Sequence, residues 1–107
     1  MYEIHFTEEA ESDLIKTLTY IRDVLKAPAA ASALLQNIEE RLDYLRGFPL
    51  SCPIIQDDYL SSKGLRLQII ENYIAFYVIH ENSTTISIIR FLYARRDWKT
   101  ILSLPSE

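Results

Sequence analysis

Apolar residues in the first half of the chain recur every three or four positions, which is the spacing of one face of an α-helix. An alternating stretch over residues 2–6 predicts a strand, and Thr7 is a suitable N-cap for the helix that follows it. Pro28 interrupts the pattern and can open a second helix, which ends near Gly47. The two apolar stripes are Ala10, Leu14, Leu18, Ile21 and Leu25, then Ala31, Leu34, Leu35, Ile38, Leu42 and Leu45. The first half therefore predicts a strand followed by a helical hairpin.

The second half changes to the pattern of a sheet. Residues 48–64 contain two prolines and paired aspartates, which is typical of a loop. Three strand-like runs follow, separated by short turns, and the order indicates an antiparallel meander; the runs are 65–70, 73–80 and 85–93. The tail predicts a short helix that Pro105 would end. In the resulting β-α-α-β-β-β order, we expect one α+β domain over residues 1–107, with helices on one sheet face and the other face open.

Composition narrows the class of protein. A chain of 107 residues that is 49% hydrophobic has enough apolar material for one core. The single cysteine, Cys52, has no intramolecular partner for a disulfide, which favours a reducing cytoplasm. Glu3, Glu8 and Glu9 interrupt any early apolar stretch, so we expect no signal peptide. The apolar runs are also too short to cross a bilayer, so we expect no membrane partner.

The net charge of −4 is unevenly distributed. Residues 1–64 contain six basic and eleven acidic residues, whereas residues 65–107 contain five basic and four acidic ones. The basic surface therefore belongs mainly to the C-terminal part, although a dedicated nucleic-acid binder would be far more basic overall. Two distant histidines and only two glycines predict neither a metal site nor a phosphate-binding loop, and we expect no cofactor.

Several arginines follow or interrupt the predicted strands. Arg66 alternates with leucines, so it should point away from their apolar face, where it could hold a phosphate or a partner's carboxylate. Arg90 lies on an apolar row of the last strand, and a charge there requires a partner. That partner could be Asp57 or Asp58, which would make Arg90 structural; otherwise Arg90 is a functional residue on the open face.

The stretch "RFLYARRDW", residues 90–98, concentrates cations and aromatic rings after the last strand. Arg95 and Arg96 could bind phosphate in the bidentate manner of guanidinium groups, and Tyr93 could stack on a base or act as a weak acid. An ordinary solvated turn would also explain these residues. The residue types alone do not choose between these interpretations.

Four short segments, taken with the element order, carry a resemblance to a known family. They are "FP" at residues 48–49, "KGLR" at 63–66, "NYIAFYVI" at 72–79 and "IRFLYARRDW" at 89–98. Together they resemble the RelE/ParE superfamily of toxins from type II toxin–antitoxin modules, over essentially the whole chain. The resemblance implies a cognate antitoxin as partner, with operator DNA bound only through the antitoxin complex. An antitoxin or a second copy of the chain could cover the open sheet face.

The resemblance leaves two activities open. RelE-like members are metal-independent endoribonucleases that cut mRNA on the ribosome, whereas ParE-like members bind and poison DNA gyrase without catalysis. A third alternative is a decayed toxin that is retained as an antitoxin-binding co-repressor subunit. The candidate functional strip carried over from the family, with catalytic roles if the chain is an enzyme, is Arg66, Arg90, Tyr93, Arg95 and Arg96.

One position departs from the pattern of the ribonucleases. In RelE-like enzymes, the middle strand of the meander carries an arginine directly after a tyrosine or histidine. Here Tyr73 is followed by Ile74, and the apolar run that continues from it resembles the ParE-like branch. This substitution favours the gyrase-directed activity or an atypical ribonuclease.

Overall fold

The computed structural model describes residues 1–103; residues 104–107, including the Pro105 expected to end the last helix, lie outside the described residues. The strands are β1 (Glu3–Phe6), β2 (Arg66–Ile70), β3 (Tyr73–His80) and β4 (Thr85–Tyr93), and the helices are α1 (Glu8–Thr19), α2 (Pro28–Gly47), α3 (Asp58–Ser62) and α4 (Trp98–Ser103). The predicted element order is confirmed, and the sequence pattern missed only α3, a single turn within the long loop.

The sheet has the strand order β1-β4-β3-β2. The three C-terminal strands form the expected antiparallel meander, and β1 adds one parallel pairing along the outer side of β4. That pairing stops at Phe6, opposite Ile88, so the last part of β4 is paired with β3 but has no strand on its other side. A bulge near Phe76 and Tyr77 shifts the register between β3 and β4. Arg90 and Tyr93 of the predicted functional strip lie on this end of β4.

Local signals explain the helix ends. The Thr7 Oγ1 accepts a hydrogen bond from the Ala10 amide at 3.1 Å, as expected for an N-cap, and donates one to the Ile89 carbonyl at 2.9 Å. Residues Tyr20–Val24 continue α1 as a π-helical segment, in which the Leu25 amide reaches back five residues to the Tyr20 carbonyl. The first hydrophobic stripe therefore ends in a wider helical turn than its regular spacing predicts.

The helical hairpin packs on one face of the sheet, as predicted. Leu34, Leu45 and Ile38 of α2 are almost completely buried there, against strand residues that include Tyr77 and Ile86. At ~1.5–3 kcal/mol for each fully buried large apolar side chain, this cluster is the main source of stability.

The expectation of an open second sheet face is wrong. Six buried residues form a separate cluster on that side: Ile55, Leu60, Leu65, Ile74, Phe76 and Leu92. Helices α3 and α4 cover it, and the Trp98 ring packs 5.3 Å from the Phe76 ring, centroid to centroid. Short helices of five and six residues show little hydrophobic periodicity, which explains why the sequence did not predict this layer.

The β2–β3 turn places a non-glycine residue, Glu71, in the left-handed region, with φ of 55°. The Asn37 side-chain amide donates a hydrogen bond to the Glu71 carboxylate at 2.5 Å, which fixes the turn against α2.

Among residues 1–103, no helix is long and apolar enough to cross a membrane.

Candidate functional site

The predicted functional strip lies where β4 ends and the chain turns into α4. The Arg96 amide donates to the Tyr93 carbonyl at 3.0 Å, which closes a turn directly after the strand. Asp97 then caps α4, because its carboxylate accepts from the Thr100 hydroxyl at 2.7 Å and from the Thr100 amide at 3.4 Å. Asp97 therefore organises the start of α4, in addition to lowering the local positive charge.

Arg90 is held by an acidic residue of α1. Its Nε and Nη2 donate to the two oxygens of the Asp13 carboxylate at 2.7 and 2.9 Å, and the same carboxylate accepts from the Phe91 amide at 3.0 Å. The hydrogen bonds from Arg90 to Asp13 raise the pKa of Arg90. Asp13 thus occupies the edge of β4 that β1 leaves unpaired.

This geometry corrects the predicted partner of Arg90. The partner is neither Asp57 nor Asp58: Asp57 caps α3 by accepting from the Leu60 amide at 3.1 Å, and Asp58 is the first residue of that helix. The ion pair joins residues 77 positions apart in the chain, so sequence proximity gave no guide to it. Both side chains are shielded, with exposed fractions of 23% for Arg90 and 13% for Asp13.

Arg66 is also held by the fold. Its Nη1 donates to the Cys52 carbonyl at 2.6 Å, and Leu65 and Leu67 on either side of it pack in the second cluster. The alternation predicted from the sequence is therefore present. However, the face opposite the leucines is the one covered by the helical hairpin, where Arg66 lies opposite the buried Tyr77 in the β2–β3 register. Arg66 lies half-buried and reaches solvent through an open groove.

Tyr77 belongs to the same shielded region. Its hydroxyl donates to the Pro49 carbonyl at 2.8 Å, and burial is the main cause that raises its pKa. A tyrosine with this environment keeps its proton at neutral pH. It therefore fastens the loop after α2 to the sheet, and it is a structural hydrogen-bond donor.

Tyr93, Arg95 and Arg96 are the exposed members of the strip. Among residues 1–103, neither Arg95 nor Arg96 forms an ion pair. The Tyr93 ring lies 5.6 Å from the Tyr73 ring at an edge-on angle of 65°, and Tyr73 stacks on Phe91 at 5.3 Å. The strip thus combines two unpaired guanidinium groups with an ordered aromatic wall.

Ile74 occupies the position at which RelE-like enzymes carry an arginine. It is only 6% exposed and packs with Phe76 and Leu92 in the second cluster. Its side chain is apolar and inaccessible, and the covering helices close the face around it. A cation cannot be presented from this position.

The histidines lie away from the turn after β4, and His80 lines the same open groove as Arg66. His80 pairs with Thr85 at the opposite end of the β3–β4 hairpin from the Tyr73–Tyr93 pair, about 23 Å along the strand at ~3.3 Å per residue. His5 lies on β1 with its side chain 62% exposed, 3.5 Å from a Glu3 carboxylate oxygen. Within residues 1–103, no cluster of His, Cys, Asp and Glu side chains could hold a metal ion.

Sequence reasoning missed two residues of α1 that border the strip. Asp13 lies three positions after the buried Ala10, at the margin of the apolar stripe, and Lys16 follows one turn later on the same side. An acidic residue at the edge of a helix face that packs on a sheet with an internal arginine was the available signal for the Asp13–Arg90 pair.

Comparisons with known proteins agree with this architecture. The family model described as the ParE toxin of the type II toxin–antitoxin system parDE matches residues 4–98. A structure from the chromosomal ParDE TA system of P. aeruginosa superposes with a TM-score of 0.69 and 20% identity, covering 89% of this chain and 98% of that one. No curated protein matches the sequence significantly.

The fold extends to the other branch of the superfamily. A chain of the toxin–antitoxin complex RelBE2 from Mycobacterium tuberculosis superposes with a TM-score of 0.61 and 22% identity, covering 86% of this chain and 96% of that one. At these identities the two structures support the fold, and the family model supports the branch. The chain belongs to the ParE toxin family of type II toxin–antitoxin systems.

Proposed function

We propose that this toxin inhibits growth by binding DNA gyrase without catalysis of its own, and that a cognate antitoxin neutralises it. The observation that supports this proposal most strongly is the state of the candidate catalytic cations. Arg90 is paired with Asp13, Arg66 is bonded to the Cys52 carbonyl, and the arginine position of the ribonucleases holds the buried Ile74. Within residues 1–103, Arg95 and Arg96 in the turn after β4 are the strip cations whose side chains make neither an ion pair nor a hydrogen bond.

Cleavage of RNA through its 2′-hydroxyl requires a base, an acid and cations placed around one phosphate. His5 and His80 lie away from Arg95 and Arg96, so a hydroxyl group would have to perform the proton transfers at the turn after β4. Burial raises the pKa of Tyr73, with smaller contributions from Tyr93 and Glu71, which makes it a poor base at neutral pH. These features favour a protein-binding toxin over a ribonuclease.

Exposed apolar residues support an antitoxin partner. Tyr44 and Phe48 stack at 4.8 Å where α2 ends, and both rings are more than half exposed. Leu50 and Ile54 in the following loop are exposed as well. Exposed patches of this kind typically mark protein interfaces. We place the toxin and its antitoxin in the cytoplasm, where operator DNA would be bound only through their complex.

The test is induction of the toxin in a bacterial host, with translation and DNA supercoiling followed in parallel. We expect loss of negative supercoiling and DNA breaks while mRNA remains intact. The double substitution Arg95→Ala and Arg96→Ala should weaken the inhibition of purified gyrase by about tenfold or more, because charge-assisted contacts are among the stronger interface interactions. Lys63→Ala, which removes one exposed cation outside the turn after β4, is the control and should inhibit gyrase normally.

Other outcomes would replace the proposal. Early loss of translation, with mRNA cut within codons on the ribosome, would identify a ribonuclease that works despite Ile74. Absence of toxicity from a folded protein would indicate a decayed toxin retained to bind its antitoxin. Equal inhibition of gyrase by the double variant and the wild type would remove the arginines from the interface.

A further inference from the structure

A small pocket lies between α1 and the C-terminal end of β4, on the opposite side of the sheet from the cluster that contains Ile74. Its volume is about 140 Å³, and the residues that matter for its chemistry are Asp13, Lys16, Thr17, Tyr73, Tyr93 and Arg96. Drug-sized ligands occupy pockets of roughly 300–1,000 Å³. This pocket is therefore of a size for one functional group or one short side chain.

The polar groups of the pocket are unbalanced towards donors. Among residues 1–103, the side chains of Lys16, Thr17 and Arg96 make no hydrogen bond or ion pair, and neither do the hydroxyls of Tyr73 and Tyr93. The one acidic residue in the wall, Asp13, is already engaged by Arg90 and by the Phe91 amide. The pocket thus offers several free donors, two of them cationic, and no free carboxylate.

The net charge of the residues that line the pocket is positive. Arg90 neutralises Asp13, which leaves the positive charges of Lys16 and Arg96 without counter-charges in the pocket. Glu71 lies near enough to raise the pKa of Tyr73, but its carboxylate accepts from Asn37 of α2. Because burial also raises the pKa of Tyr73, its hydroxyl remains a donor at neutral pH.

We infer that this pocket binds a single carboxylate, supplied by an aspartate or glutamate side chain of a partner protein. Lys16 and Arg96 would provide the charge, and the tyrosine hydroxyls would complete the hydrogen bonds. The inference deepens the proposed function, since it rests on the strip being a protein-binding surface. It adds Lys16 of α1 to that surface and separates Arg96, which lines the pocket, from Arg95, which does not.

Two observations favour a protein carboxylate over the phosphates of a nucleic acid. The chain carries a net charge of −4, and Glu8, Glu9 and Glu11 form the first turn of the helix that supplies Lys16. These negative charges would repel a polyanion. A single carboxylate would interact mainly with the adjacent cations, because charges beyond a screening length of about 8 Å are largely screened. The pocket wall is also aromatic, and tyrosine with arginine is the typical composition of protein-interface centres.

The inference can be tested on the full-length purified toxin without gyrase or cells. The probes are two capped tripeptides, acetyl-Ala-Glu-Ala-amide and acetyl-Ala-Gln-Ala-amide, followed by amide chemical shifts in NMR titrations. We expect the glutamate peptide to bind with a dissociation constant on the order of millimolar, as for a single charged contact. It should shift the amides of Thr17, Tyr93 and Arg96, whereas the glutamine peptide should not.

Three variants distinguish the cations of the pocket from a cation outside it. Lys16→Gln and Arg96→Gln should each weaken binding of the glutamate peptide by about tenfold, because each removes one charge-assisted contact. Lys99→Gln removes an equally exposed cation three residues beyond Arg96, outside the pocket, and should leave the affinity unchanged. All three positions are exposed, so the variants should fold, and unchanged spectra elsewhere would verify this.

Four results would overturn the inference. The first is an equal chemical-shift change with the glutamate and glutamine peptides, and the second is no change at the highest peptide concentration. The third is a loss of affinity in Lys99→Gln as large as in Lys16→Gln and Arg96→Gln. The fourth is tighter binding of inorganic phosphate or a single-stranded oligonucleotide than of the glutamate peptide, with changes at the same amides. The last result would make the pocket a phosphate site. A toxin that binds the peptide but leaves gyrase active would refute the proposed function and retain the pocket, so the two failures are distinguishable.

Discussion

The ion pair between Asp13 and Arg90 should be one of the strongest single polar contributions to stability. It joins α1 to the edge of β4 through two hydrogen bonds of 2.7 and 2.9 Å, and Asp13 holds the Phe91 amide with a third of 3.0 Å. Two unit charges about 4 Å apart attract by roughly 4 kcal/mol at an effective dielectric of ~20, before desolvation is counted. Because both side chains are largely shielded from water, desolvation offsets part of this attraction, and we expect a net coupling of about 2 kcal/mol.

The single variants should differ in a way that identifies the third hydrogen bond. Asp13→Ala should lower the free energy of unfolding by about 3 kcal/mol, since it removes the ion pair and also leaves the Phe91 amide unpaired at a cost of ~1 kcal/mol. Arg90→Ala should lower it by only about 2 kcal/mol, because Asp13 keeps the amide. Loss of the Arg90 stem contributes to that value as well.

The assay is urea unfolding of the wild type, both single variants and the double variant near neutral pH, analysed as a double-mutant cycle. The coupling should retain more than half of its value in about 0.5 M salt, where the Debye length falls to roughly 4 Å, because the pair is shielded. A coupling below about 0.5 kcal/mol would place the pair among ordinary surface contacts and refute this reasoning.

Three further predictions follow from other parts of the fold. Thr84→Asn should raise the free energy of unfolding by about 1 kcal/mol in urea titrations, because Thr84 is a β-branched residue at φ of 55° and asparagine tolerates this region; an unchanged midpoint would show that the turn is unstrained. Burial raises the pKa of Tyr77 above that of an unfolded tyrosine, so its contribution to stability is complete below about pH 10 and is lost as the pH rises further. Tyr77→Phe should therefore lower stability by ~1 kcal/mol at neutral pH through the lost hydrogen bond to Pro49, while making the alkaline decline shallower, and an equally steep decline would contradict the assignment. Trp98→Ala should cost about 3 kcal/mol, because the ring covers Phe76 in the second cluster; thermal unfolding by circular dichroism would measure it, and a neutral effect would mean that α4 does not contribute to this layer.

Much of the fold was readable from the chain because its determinants are local. The spacing of Ala31, Leu34 and Leu45 predicts the buried face of α2, and Thr7 predicts the start of α1; all four do in the structure what the pattern indicates. Alternation and short turns predict the three-stranded meander for the same reason. Periodicity and capping act over a few residues, so they can be recognised without knowing what the segments contact.

The second layer could not be predicted, because single-turn helices have no resolvable period. The segments around Leu60 and Trp98 are too short to show an amphipathic stripe, and only contacts with the sheet reveal what they cover. Because the sequence pattern does not show this layer, it predicts that the face with Ile74 is open to a partner protein. Its closure is a property of the assembled molecule.

The candidate site shows the same division between sequence and tertiary structure. The sequence alone determined the family, the element order and the presence of Arg95 and Arg96 after the last strand, because these depend on residue identity and on near neighbours. Only the tertiary structure shows which arginines remain free of an ion pair. Arg90 is bound by Asp13, which lies 77 residues away in the chain, and is therefore not available to a ligand. A charge can be read from one position, but its neutralisation depends on the residue that folding brings within 3 Å, and the linear sequence does not encode that distance locally.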